Sequence, residues 1–219
     1  MNVLNSRYLV LGVSIIAVAI VLGTVFWTKL EPRRHAQSST QNVTVGLDRY
    51  GAVPEFSLIE RSGKRVELAN LRGKIWVADF IYTACTDTCP LQSAEMAKLQ
   101  EALGHVPKLN LVSFSVDPAR DNPKVLSRYA DRFKADPERW LFLTGDKQQV
   151  RRLAQEGFKL SAAPEPTAGG KDNGIILHSA RFVLVDETAQ IRGYYDSRDA
   201  DALQRLRHDL DKLLRLRKE

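Results

Sequence analysis

The chain's only two cysteines, Cys85 and Cys89, lie four positions apart, and Pro90 follows the second. Before them runs IWVADFIY (75–82), apolar and aromatic with one polar interruption at Asp79. That is the pattern of a strand buried on both faces. After them, from residue 90 to about 103, the spacing predicts a helix with Leu91, Ala94, Met96, Leu99 and Leu103 on its inner side. Strand, tight loop and helix make the first part of a right-handed β-α-β crossover. The loop then falls at the carboxyl end of a buried strand, where α/β proteins place ligands. Pro90 suits the first helical position and puts Cys89 at or near the N-cap. Both sulfurs should then face free N–H groups and the positive end of the helix dipole, which favours thiolates. A disulfide across so short a loop removes little chain entropy. The pair therefore reads as redox-active or as a ligand pair.

The rest of the pattern places this loop in an α/β domain. FSLIERSGKRVEL predicts a hairpin turning at Ser62-Gly63. Strands are expected at 109–117 and 140–145, with helices at 122–133 and 146–157. Pro123 starts the first of these helices; Asp146 caps the second and Gly157 ends it. A loop rich in Pro and Gly covers 161–174, followed by a second hairpin at 180–186 and 190–196 and a final helix at about 199–217. Strands alternating with helices, with an antiparallel pair near the end, predict a mixed sheet flanked by helices.

The N-terminus adds another class. Residues 8–28 contain no charge, and Tyr8 and Trp27 bracket an apolar run. About 20 such residues span roughly 30 Å as a helix, enough for a bilayer core. No small-x-small cleavage site follows in TKLEPRRH, so the run reads as an uncleaved anchor and not a signal peptide. The expected organisation is a short tail (1–7), a transmembrane anchor (8–28), a polar linker (29–45) and a domain over 46–219. Lys29, Arg33 and Arg34 outnumber Arg7 and the terminal amine, which by the charge rule alone leans toward a cytoplasmic domain.

The chain carries 32 Lys and Arg against 26 Asp and Glu, for a net charge of +6. The signs are interspersed and no aromatic-interleaved basic patch stands out, which argues against nucleic acid as a partner. Of the four histidines, His35, His105 and His208 read as solvated surface residues. His178 differs: it ends the long Pro/Gly loop in the context ILHSARFVLVD. Two thiolates, with or without an imidazole, are soft ligands that suit Cu(I), Zn or Fe–S chemistry.

DFIYTACTDTCPLQ, SFSVDPARDNPKVLSRYADRF, LTGDKQQV and HSARFVLVD, in this order, closely resemble the Sco/SenC family over about residues 50–196. That family supplies copper for the binuclear copper site in the second subunit of cytochrome c oxidase. The resemblance implies a thioredoxin-like fold with a membrane anchor, and copper ligands at Cys85, Cys89 and His178. Asp117, Pro118, Arg120, Asp121 and Pro123 match the family's DPxRDxP stretch, and Asp87 matches an acidic position between the cysteines. Two positions depart from it. Thr86 stands where many members have proline, and Leu177 where some have an acidic residue before the histidine.

The function implied is a metallochaperone. With two thiolates and an imidazole, the site carries one negative charge around Cu(I) and none around Cu(II). The partner would be subunit II of the oxidase or another copper-site apoprotein. The expected location is the inner membrane, single-pass, with the domain in the periplasm. A thiol–disulfide oxidoreductase using Cys85 and Cys89 on the partner's cysteines is the main rival, since metal and disulfide use the same sulfurs. A thiol peroxidase fits a reactive cysteine but has no further support in the sequence. Zinc fits the ligand types; the resemblance, and not the spacing, favours copper.

Overall fold

In the computed structural model, residues 47–103, 106, 109–160 and 179–216 are described. The strands are β1 (Gly51–Ala52), β2 (Ser57–Glu60), β3 (Arg65–Glu67), β4 (Ile75–Ile81), β5 (Leu109–Ser115), β6 (Trp140–Thr144), β7 (Arg181–Val185) and β8 (Gln190–Asp196). The helices are α1 (Thr88–Ala102), α2 (Pro123–Arg132), α3 (Lys147–Arg152), which runs into a π-helical turn at Leu153–Gly157, and α4 (Ala200–Leu216). The strands form one sheet in the order β1-β8-β7-β4-β5-β6-β2-β3. β4, β5 and β6 run parallel, joined through α1 and α2, and the other pairings are antiparallel. This is the mixed sheet that the element order predicts.

Every residue of β4 and β5 is buried, which explains their near-continuous apolar sequence. Alternation along β4 sorts its side chains between two layers. Ile75, Val77 and Ile81 face Met96 and Leu99 of α1, Leu126 and Tyr129 of α2, and Leu206 and Leu210 of α4. Trp76, Ala78 and Phe80 face Phe114, Phe158, Val150 of α3 and Leu153 of the π-helical turn. Asp79, by the same alternation, belongs to the first layer.

The predicted hairpin turns where expected. Gly63 has φ of +85°, a left-handed conformation that glycine adopts without a Cβ penalty. The segment 146–157 is helical as predicted, and Asp146 caps it by accepting the Gln149 N–H at 2.7 Å. Its last turn widens to π geometry, however, as Gly157 packs on Pro54; a Cβ there would lie 2.7 Å from Pro54 Cδ. The strand expected over 109–117 stops at Ser115, where the Asp117 N–H turns back to the Ser115 hydroxyl at 3.2 Å.

The first helix departs from the sequence reading in two ways. It begins at Thr88, so Cys89 is its second residue and Pro90 its third. Pro90 still costs nothing there, because the first N–H groups of a helix have no internal partner. The inner face is also rotated. Cys89, Gln92, Ser93, Met96 and Leu99 are buried, while Leu91 is 61% exposed. The proposed anchor at 8–28, the linker at 29–45 and the loop at 161–174 lie outside the described residues. Among the described residues no helix is long and apolar enough to cross a membrane.

Candidate metal centre

The site begins where β4 runs out. The Cys85 N–H donates to the Tyr82 carbonyl at 3.2 Å, closing a turn. The chain then passes through Thr86 and Asp87 into α1, and the Cys89 N–H donates to Cys85 Sγ at 3.4 Å. That contact places a free N–H of the helix's first turn on the first sulfur. No disulfide joins the two cysteines, and both are buried, at 8% and 3% exposure. The structure therefore brings the two sequence-predicted thiols together.

The two thiols are not alike. Burial alone would raise the Cys85 pKa. The backbone N–H groups of Cys89 and Asp87, the Cys89 thiol and Tyr82 together outweigh it, and the Cys85 pKa is lowered. At Cys89 burial dominates and pushes the thiol well above its ordinary range. A backbone hydrogen bond at Tyr82 opposes this, while donation to Cys85 and the charges of Cys85 and Asp79 add to the rise. The helix-dipole argument gives two acidified thiols; desolvation overturns it for the second.

Beneath the pair lies a polar floor that the sequence marks only faintly. Complete burial raises the Asp79 carboxyl from 3.8 to about 7. Ser113 opposes this, yet neither carboxylate oxygen reaches a hydrogen-bond partner. The buried hydroxyls of Ser93 and Tyr129 pair at 2.9 Å. Gln92 donates to the Arg181 carbonyl at 3.3 Å, tying α1 to β7. The available signal was a polar residue inside each buried strand: Asp79 in β4, and Ser113 and Ser115 in β5.

The other expected residues fall into place unequally. Asp87 precedes α1 at the N-cap position, but its side chain makes no capping bond. In the DPxRDxP stretch, Asp117 pairs with Arg120 at 3.2 Å at the surface, and Pro123 is the first residue of α2 behind the Asn122 cap. Asp121 is fully buried and accepts from Thr83 and Ser115. His208 lies exposed on α4. His178, the expected third ligand, lies outside the described residues, as do His35 and His105. Among the described residues no group of three His, Cys, Asp or Glu side chains could hold a metal.

A mixed sheet between helical layers, with a thiol pair at the strand-to-helix turn beside the central strand, defines a thioredoxin-like domain of the dithiol-site class. Residues 47–215 match the SCO1/SenC family model, and the chain belongs to that family. It is 35% identical over 147 residues to the SCO1 protein homolog of Bacillus subtilis (strain 168), spanning 66% of this chain and 73% of that one. It is similar to the solved structure of BsSco, described as a Sco-family cytochrome c oxidase assembly protein with a disulfide switch. That similarity has a TM-score of 0.66 at 29% identity, covering 78% of this chain and 98% of that one. Bradyrhizobium japonicum ScoI, solved with copper bound, matches with a TM-score of 0.59 at 26% identity, over 72% of this chain and 98% of that one.

Proposed function

We propose that this chain is a membrane-anchored metallochaperone that carries copper on Cys85, Cys89 and His178 to the binuclear copper site of cytochrome c oxidase subunit II. The observation that carries the reading is the thiol pair itself. Cys89 donates its N–H to Cys85 Sγ, and the Cys85 pKa is lowered. Paired sulfur donors, one prone to ionise, fit a soft ion. They fit zinc as well, and copper is favoured by the copper-bound relative. His178 joins the set on its sequence context, HSARFVLVD. Loading Cu(I) on two thiols releases two protons, and a partner's thiolates then displace the ligands one at a time.

A second reading has its own support in the unlike thiols. As a thiol–disulfide oxidoreductase, Cys85 would attack a partner disulfide and form a mixed disulfide. Cys89 sulfur would then attack Cys85 sulfur, leaving a Cys85–Cys89 disulfide and a reduced partner pair. Two electrons pass to the partner. This route needs both cysteines and not His178.

The test uses the full chain in detergent, loaded anaerobically. Copper stoichiometry should fall in each of Cys85→Ala, Cys89→Ala and His178→Ala; unchanged binding in all three would sink the copper reading. Retained oxidase assembly in His178→Ala cells would favour thiol exchange. The apolar run at 8–28 supports a single-pass membrane location. A periplasmic domain is proposed on the resemblance of the cysteine motif to the Sco/SenC family and on the seven-residue tail, against the lean of the flanking charges. In the same cells, an inactive alkaline phosphatase fusion at the C-terminus would overturn that orientation.

A further inference from the structure

Thr83 stands two residues before Cys85, and the peptide unit joining it to Tyr82 is engaged at both ends. Its N–H, from Thr83, donates to Asp121 Oδ2 at 3.0 Å. Its C=O, from Tyr82, accepts the Cys85 N–H at 3.2 Å. A trans peptide is planar, with N–H and C=O pointing opposite ways, so fixing one end orients the other. Asp121 holds this plane twice, because the Thr83 hydroxyl also donates to its Oδ1, at 2.5 Å.

Asp121 is itself held. It is fully buried, in the connection between β5 and α2. Its Oδ2 accepts the Ser115 hydroxyl at 2.6 Å, and its backbone N–H donates to the Asp117 carbonyl at 2.9 Å. Hydrogen bonds to a charged acceptor are roughly twice as strong as neutral ones. A buried carboxylate is tolerated only when such donors meet it. β4 and β5 pair in register up to Ile81 and Ser115, and the Val116 N–H continues the ladder to the Ile81 carbonyl at 2.9 Å. The carboxylate therefore sits on the end of two rigid neighbouring strands.

We propose that Asp121 is a positioning residue for the thiol pair: it sets the Tyr82–Thr83 peptide plane and, through the Tyr82 carbonyl, the place of Cys85 relative to Cys89. The inference rests on the reading of that pair as a copper site. It assigns a role to the buried member of the DPxRDxP stretch, while its surface members Asp117 and Arg120 pair with each other. Outer residues that orient metal ligands typically change metal affinity by about 10–100-fold when replaced.

The experiment compares Asp121→Asn, Thr83→Val, Thr83→Ser and Leu153→Ala in the full chain in detergent. Readouts are Cu(II) affinity, the thiolate-to-copper absorption band and the reduction potential of the Cys85–Cys89 pair. Asp121→Asn keeps the shape but removes the charge and one acceptor oxygen, so the Thr83 N–H and the Thr83 and Ser115 hydroxyls must share a single acceptor or turn a hydroxyl round to accept. It should weaken copper binding by about 10–100-fold and shift the band. Thr83→Val loses one of the two bonds and should move affinity, band and potential in the same direction as Asp121→Asn, by less. Thr83→Ser keeps both bonds and should match the parent. Leu153→Ala loosens the opposite face of the sheet and should leave band and potential in place. Parental band, affinity and potential in Asp121→Asn overturn the proposal, as do equal shifts in Leu153→Ala. Where Asp121→Asn does not fold, Thr83→Val decides by the same criteria. A parent that binds no copper overturns the copper reading alone; the reduction potential of the variants then decides the role of Asp121.

Discussion

On one face of β4, Trp76 and Phe80 meet Phe114 and Phe158 in a nest of rings; Phe80 stacks on Phe114 at 5.0 Å and meets Phe158 edge-on at 5.2 Å. On the other face, Ile75, Val77 and Ile81 share the layer with Asp79, Ser93, Tyr129 and the two cysteines. The same strand thus borders a dry aromatic layer and a layer with polar groups beneath the site. Apolar packing on the first face is proportional to area and tolerates no gaps. The second face gives up part of that packing and keeps groups that influence the thiols, since Asp79 raises Cys89 and Tyr129 alike. The difference suggests that the aromatic face supplies stability which the site face spends in part on chemistry.

The sharpest way to break this contrast is to empty the aromatic face. Phe114 is fully buried and touches Phe56, Trp76, Phe80 and Phe158. Phe114→Ala should lower the unfolding free energy by about 3–5 kcal/mol, read from the urea midpoint at constant slope. Its copper band should survive at temperatures where the variant is folded. A small loss of stability, or a lost band in a folded variant, would mean that the two faces are not separable in this way.

A smaller effect should come from Asp79, and its sign is opposite to that of an ordinary salt-bridged carboxylate. Its pKa is 3.8 in the unfolded chain and about 7 in the folded one. The folded state therefore holds the proton more tightly. That preference is fully present below pH 4 and is lost as pH rises toward 7, on the order of 4 kcal/mol for the whole shift and about 3 kcal/mol of it between pH 4.5 and 7.5. The groups that feel its charge are Cys89 and Tyr129, both raised by burial first. Asp186 and Asp196 are lowered, so their titration lies below this window. Denaturation at pH 4.5 and pH 7.5 should show the parent losing stability across the interval and Asp79→Asn losing much less. Equal slopes in the two proteins would show that Asp79 is not the group responsible.

The contrast between the faces also explains what could be read from the sequence. β4, the cysteine turn and the hairpin at Ser62-Gly63 were legible because each depends on local pattern and turn chemistry. The inner face of α1 was not. Its apolar residues suggested Leu91 as a core position, whereas Gln92 and Ser93 turn inward to meet the Arg181 carbonyl and Tyr129, partners far away in the chain. Both cysteines were legible as a pair, but their unlike acidity was not, because desolvation is a property of the packed layer and not of the loop. Asp79 was visible as an interruption and Asp121 as part of a pattern; the bonds that give Asp121 its role join segments brought together only by the sheet.

The finest test lies within the polar floor. The Ser93 and Tyr129 hydroxyls pair at 2.9 Å out of contact with water, and the Tyr129 ring packs on Phe133 at 5.1 Å. Tyr129→Phe keeps the ring and leaves the Ser93 hydroxyl without its partner; Ser93→Ala does the reverse. Each single change should cost about 1 kcal/mol, the usual net value of such a bond. The double variant removes both polar groups together, so no buried hydroxyl is left unpaired. It should therefore cost less than the sum of the two, with a coupling of about 1 kcal/mol in the cycle. Additive losses would show that the two hydroxyls do not support each other. On a face built only for stability the double variant would be the better design. Keeping the hydroxyl pair makes sense where Cys85, Cys89 and Asp79 already bring polarity into the layer and the groups around them must be held in fixed orientation.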